Sequence, residues 1–114
     1  MFSLTPLHLA INHDADHTAR TITILLKFKA NIEAKDSKGM TPLHHAVRFN
    51  RPQHIKTLIK HNANIEATDN DNNTPLHLAM SSGLKEIVDI LINNKANTRA
   101  LNNDGNTPID LSSD

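Results

Sequence analysis

The chain has 114 residues, with twelve basic and twelve acidic side chains and no cysteine. A formal charge of zero argues against nucleic acid, which usually demands a basic patch, and the lack of thiols excludes a disulfide framework and cysteine chemistry. No apolar run is long enough to span a membrane and Met1–Ala10 lacks the layout of a secretory signal, so the expected address is intracellular, most simply cytoplasmic, with delivery into a host cell also compatible.

A first helix is predicted to open at Thr5-Pro6-Leu7-His8. The phrase returns as Thr41-Pro42-Leu43-His44 and Thr74-Pro75-Leu76-His77, and once more, altered, as Thr107-Pro108-Ile109-Asp110. The last three copies start 33 residues apart and the first lies 36 before the second. A period of this size means stacked supersecondary units in place of one globular core. In each copy the Thr hydroxyl can cap the helix, and Pro takes the first helical position, where its missing N–H costs nothing. His, three residues after the cap, reaches back as a capping-box partner does. Asp110 replaces it in the last copy and suits the helix dipole. These helices are expected to end near Asn50 and Gly83, residues that tolerate the left-handed conformation. Small Ala10, Ala46 and Ala79 let neighbouring helices approach closely.

A second helix follows in each unit, marked by Ile55, Leu58 and Ile59, then by Ile87, Val88, Ile90, Leu91 and Ile92, with His54 in an apolar place. A second phrase comes after it: Ala30-Asn31-Ile32-Glu33-Ala34, Ala63-Asn64-Ile65-Glu66-Ala67 and Ala96-Asn97-Thr98-Arg99-Ala100, spaced by 33 throughout. The three extra residues of the first unit therefore lie between its phrases, in the polar stretch Asn12-His13-Asp14-Ala15-Asp16. Turns come next at Asp36-Ser37-Lys38-Gly39, Asp69-Asn70-Asp71-Asn72 and Asn102-Asn103-Asp104-Gly105, with Gly or Asn where a positive φ is required. Helices this short are unstable alone, so stability must come from contacts between neighbours. The chain enters at Phe2-Ser3-Leu4 without a preceding turn and stops before any second helix of the last unit, so Phe2, Leu4 and Ile24 are expected to stay partly open. A segment of a longer protein, and ends that fray or dimerise, both fit that pattern.

With these paired phrases at constant period, residues 1–114 resemble the ankyrin-repeat family, as a single domain with repeats at about 1–35, 36–68, 69–101 and a partial one at 102–114. The resemblance implies an all-α solenoid whose turns project as β-hairpin fingers and whose first helices line the inner face of an L-shaped stack. It also implies a module that binds another protein on that concave face. One departure stands out: the family favours Gly after the second helix, where this chain has Lys29, Asn62 and Lys95.

Other chemistries fare poorly. His8, His44 and His77 are explained by the repeat. His13 and His17 are four apart, a helical ligand spacing, but only Asp14 and Asp16 accompany them, so adventitious metal binding is the better reading. Asp69-Asn70-Asp71-Asn72-Asn73 opens like a calcium loop but lacks the Gly and Glu such a loop needs, having Thr74 and Met80 there, and it is in register with the other turns. Glu33 and Glu66 are repeat-equivalent and are expected to face solvent near the finger base. No nucleophile elbow or phosphate loop is present. We expect no enzyme, no cofactor and no metal.

The residues free to carry specificity flank the turn Gly or Asn: Ser37, Lys38 and Met40; Asn70, Asp71 and Asn73; Asn103, Asp104 and Asn106. By family analogy the ends of the first helices add Arg48, Phe49, Ser81 and Ser82, with Asn12 and His13 beside them. Phe49, with Arg48 and Met40, reads either as an interface anchor or as a lid over apolar surface at the helix end. The face runs from basic and apolar in the second repeat to acidic and amide-rich beyond it, so a partner of complementary polarity is expected. The alternative is a structural segment of a larger ankyrin scaffold, monomeric or weakly self-associating through its repeat ends.

Overall fold

The structure, a computed structural model, describes residues 4–12 and 18–112. The readings for Phe2, His13, Asp14, Asp16 and His17 lie outside the described residues. Among the described residues six helices run in pairs: α1 (Pro6–Asn12) with α2 (Thr18–Lys27), α3 (Pro42–Arg48) with α4 (Pro52–Lys60), and α5 (Pro75–Ser81) with α6 (Lys85–Asn93). A single 3₁₀ turn at Ile109–Leu111 stands in the last partial repeat and packs on α5. First helices stack as one row, α1 on α3 on α5, and second helices as another, α2 on α4 on α6.

The core threads both rows. Leu7, Leu43 and Leu76 hold the same repeat position and are fully buried, as are Ala46 and Ala79 on the first helices and Leu58 and Leu91 on the second. Ile22 and Ile55 close the gap between the rows. His54 is also buried, at the position filled by Ile87 in the next repeat. Leu4 and Ile24 are open at one end of the stack, as expected, and Ile92, Leu101 and Ile109 at the other.

Turn chemistry follows the repeat. Gly39, Asn72 and Gly105 have φ of 75°, 63° and 75°, and Asn50 and Gly83 have 55° and 67°. Lys29, Asn62 and Lys95 are left-handed too, at 65°, 67° and 68°. A Cβ added to Gly39 would run into Asn70 Oδ1 and lie 2.8 Å from Asn70 N, so this turn also needs Gly in order to seat the next finger.

No strand is found among the described residues; the fingers are turns. Asp36 N–H donates to Met40 O and Gly39 N–H back to Asp36 O, and Asp69 N–H to Asn73 O and Asn72 N–H back to Asp69 O, all at 3.0 Å, so two bonds close each of these fingers in place of a ladder. Fingers are linked side to side by single backbone bonds, Asn70 N–H to Lys38 O and Asn103 N–H to Asp71 O, both 3.0 Å. With so few pairings there is no continuous hairpin, and the stack of turns is held by side chains as much as by backbone.

Candidate functional site

The repeated Thr and His form the joint that positions each finger. Thr41 and Thr74 cap α3 and α5, and in both cases the His three residues on completes the capping box. His44 Nδ1 lies 3.2 Å from Thr41 N, and its Nε2 lies 2.9 Å from Asn73 O in the next repeat. His77 joins Thr74 to Asn106 O in the same way, and His8 joins Thr5 to Met40 O. A carbonyl can only accept, so Nε2 carries the proton and Nδ1 receives the Thr N–H. The imidazole is therefore neutral and bonded on both edges. Burial holds His44 below the ordinary imidazole range, opposed by its bond to the Asn73 carbonyl.

The acidic side chains near the finger bases also have structural work. Glu33 Oε2 accepts Asn64 N–H and Glu66 Oε2 accepts Asn97 N–H, each at 2.7 Å. Both were expected to face solvent; they are half-buried instead, because each reaches an otherwise open backbone donor one repeat along. Arg99 holds the third equivalent position, where a cation cannot accept such a bond.

Between the Asp36–Gly39 and Asp69–Asn72 fingers lies a cleft of about 280 Å³, lined by Lys38 and Met40, Arg48 of α3, Asp69, and Leu78 and Ser82 of α5. Among the expected binding residues, Ser37, Lys38, Arg48, Phe49, Asp71, Ser81, Ser82 and Asp104 are exposed. Met40 is buried and forms the cleft floor, because the turn tucks it beneath the finger. Asn70 and Asn103 are exposed, but their amides brace neighbouring fingers, Asn70 Nδ2 donating to Ser37 O at 3.0 Å and Asn103 Nδ2 to Asn70 O at 3.3 Å. Asn73 Oδ1 accepts from Asn102 Nδ2, and Asn106 is held by its backbone, between Asn102 and His77.

Phe49 is partly covered and partly open. Its ring stacks on buried His45, centroids 6.1 Å apart, yet 36% of it stays exposed, and the Arg48 guanidinium carbon lies 5.5 Å from the ring centroid. His45 in turn bonds Asp36 Oδ2 from Nε2 at 2.7 Å, and the edge of the His8 ring approaches with centroids 4.7 Å apart. Burial depresses His45 despite the pull of Asp36, with His8 and Arg48 adding repulsion. Burial tends to raise Asp36, but the bonds from His45 and from the Met40 and Lys38 N–H groups outweigh it, and its carboxyl sits below the usual range. This buried hydrogen-bonded pair, which becomes an ion pair when His45 is protonated, ties the Asp36–Gly39 finger to α3. Sequence reading missed it, and also missed Asp69 and Leu78 in the cleft. The available signal was the repeat register, which sets His45 against Leu78.

Among the described residues no group of three or more His, Cys, Asp or Glu could hold a metal, and no helix is long and apolar enough to cross a membrane. No curated protein matches the chain. A family model described as ankyrin repeats, in three copies, matches residues 2–69 and 56–114. Such repeats are in general protein–protein interaction modules and are typically without catalytic activity. The two matches span nearly the whole sequence and agree with the stacked helix pairs, so this chain belongs to the ankyrin-repeat family.

Proposed function

We propose that the chain binds a partner protein reversibly on the face formed by the finger tips and the row of first helices, with no bond chemistry. One observation carries this reading. Among the described residues, no carboxylate lies within 4.0 Å of the Lys38 or Arg48 head group. Both line a cleft with an apolar floor, and the exposed edge of Phe49 stands beside Arg48. Aromatic and Arg side chains so placed are the usual anchors of an interface.

A pull-down with wild type and an Arg48→Glu/Phe49→Ala variant, its fold checked by circular dichroism, tests the proposal. A prey held by wild type and lost by the folded variant is the expected result. Equal recovery would move the site to the convex side or to the ends of the stack.

A second reading has its own observation. Ile92, Leu101 and Ile109 are exposed at one end of the stack, and Ile92 and Ile109 line a cavity of about 440 Å³ with Met80 and Pro108. Further repeats, or another copy, would cover this surface. Mass that rises with concentration, and falls in an Ile92→Lys/Ile109→Lys variant, would favour the scaffold role.

A further inference from the structure

We infer that the cleft takes an extended peptide segment whose side chains run acidic, apolar and basic from the second repeat towards the third. This rests on the concave-face reading above and adds the chemistry of the occupant. Three features combine.

The two walls of the cleft carry opposite charges that the fold leaves unmatched. Asp36 and Asp69 hold equivalent places in successive fingers, and in each the Oδ1 oxygen accepts two backbone N–H groups of its own turn. The other oxygen of Asp36 is taken by His45. One repeat later Leu78 stands where His45 stood, so Asp69 Oδ2 meets no donor among the described residues. Exposed Asp71 lies two residues further along the same finger.

On the opposite wall, Lys38 and Arg48 have no carboxylate partner, as described above. Arg48 rests against Phe49, which restricts the guanidinium before any ligand arrives and lowers the entropy lost on binding.

Between the walls, Met40 and Leu78 give an apolar floor. The cleft, at about 280 Å³, falls just short of the roughly 300–1,000 Å³ typical of small-molecule pockets. It suits one apolar side chain of a passing segment better than a free metabolite. An acidic residue then meets Arg48 and Lys38, the apolar one fills the floor, and a basic one reaches Asp69 Oδ2. The reverse charge order would set like against like at both walls.

The test is selection of a random peptide library displayed on phage against the whole chain, followed by fluorescence anisotropy of the synthetic consensus peptide. The expected consensus has an acid, an apolar residue and a base in one order. Arg48→Glu should weaken it by about tenfold or more, and a peptide with Lys in place of the acid should regain affinity for that variant alone. Asp69→Asn keeps the Oδ1 acceptor of the turn, so the finger stays folded; it should weaken binding of the same peptide and leave a peptide lacking the base unaffected. Amide shifts locate the bound peptide. A consensus on Lys38, Leu78 and Ser82 without the charge order would overturn this inference and leave the interaction function standing. A consensus bound elsewhere would overturn both. Failure to enrich any peptide would overturn the extended-segment occupant, while docking of a folded partner would remain.

Discussion

Lys29→Gly and Lys95→Gly should each stabilise the protein, against the general tendency of Gly to weaken a fold. Both residues are exposed and left-handed, with φ of 65° and 68°. An L-residue with a Cβ is disfavoured there by about 1–2 kcal/mol, while Gly gives back about 0.5–1 kcal/mol through its greater freedom in the unfolded chain. The difference leaves a gain of about 1 kcal/mol per site. The sites lie in different repeats, so the two gains should nearly add. In a chain of this size each corresponds to an upward shift of the thermal midpoint of about 4 °C. Urea unfolding followed by circular dichroism measures the gain, and Lys95→Ala is the control, since it removes the same charge but keeps the Cβ. Asn62→Gly should gain less, because Asn tolerates this conformation. A fall in midpoint for both Lys→Gly variants, or an equal rise for Lys95→Ala, would refute the backbone argument.

Acid should weaken the fold in two stages. The folded-state pKa values of His44 and His45 lie below 6.5, so as pH falls through 6.5 the unfolded chain takes up protons first and stability drops until the folded values are reached. Asp36 is likewise held below 3.8, and its contribution is lost as pH falls from there through its folded value. A His45→Leu variant, which copies the third repeat, should flatten the first stage in a plot of unfolding free energy against pH; an unchanged slope would count against the pair. Gly39→Ala should cost more than Gly105→Ala, since both are left-handed but only the first Cβ meets the next finger; similar urea midpoints would contradict the finger contact. His77→Leu should destabilise by about 1–3 kcal/mol, because Thr74 N–H loses its acceptor in the α5 capping box and Asn106 O loses one of its two donors. A cost below about 0.5 kcal/mol, the range of neutral surface substitutions, would show that the joint adds little.

Much of this architecture is legible in the sequence because the repeat states it more than once. Thr-Pro-Leu-His spells out cap, first helical residue and capping-box partner, and the Gly and Asn positions mark the left-handed turns. What escaped the reading depends on contacts across repeats. That phrase does not reveal that the far nitrogen of His44 holds a carbonyl 29 residues away. Met40 looks like a free neighbour of the turn, yet the finger folds over it. Asn70 and Asn103 look like variable tips, although their amides brace the row of fingers. The β-hairpin expected from the family reduces to turns closed by two backbone bonds each, a distinction that hydrogen-bond geometry decides and residue pattern does not.

The proposed interface lies on the cleft side of the stack. Photo-crosslinking tests it most directly, with a photoreactive residue placed at Ser82 beside the cleft or at exposed Lys56 on α4, in otherwise identical protein. A specific adduct is expected from Ser82 and none from Lys56, and it should be lost when Arg48→Glu is added. An adduct from Lys56 alone would place the interface on the second-helix side and contradict the proposal.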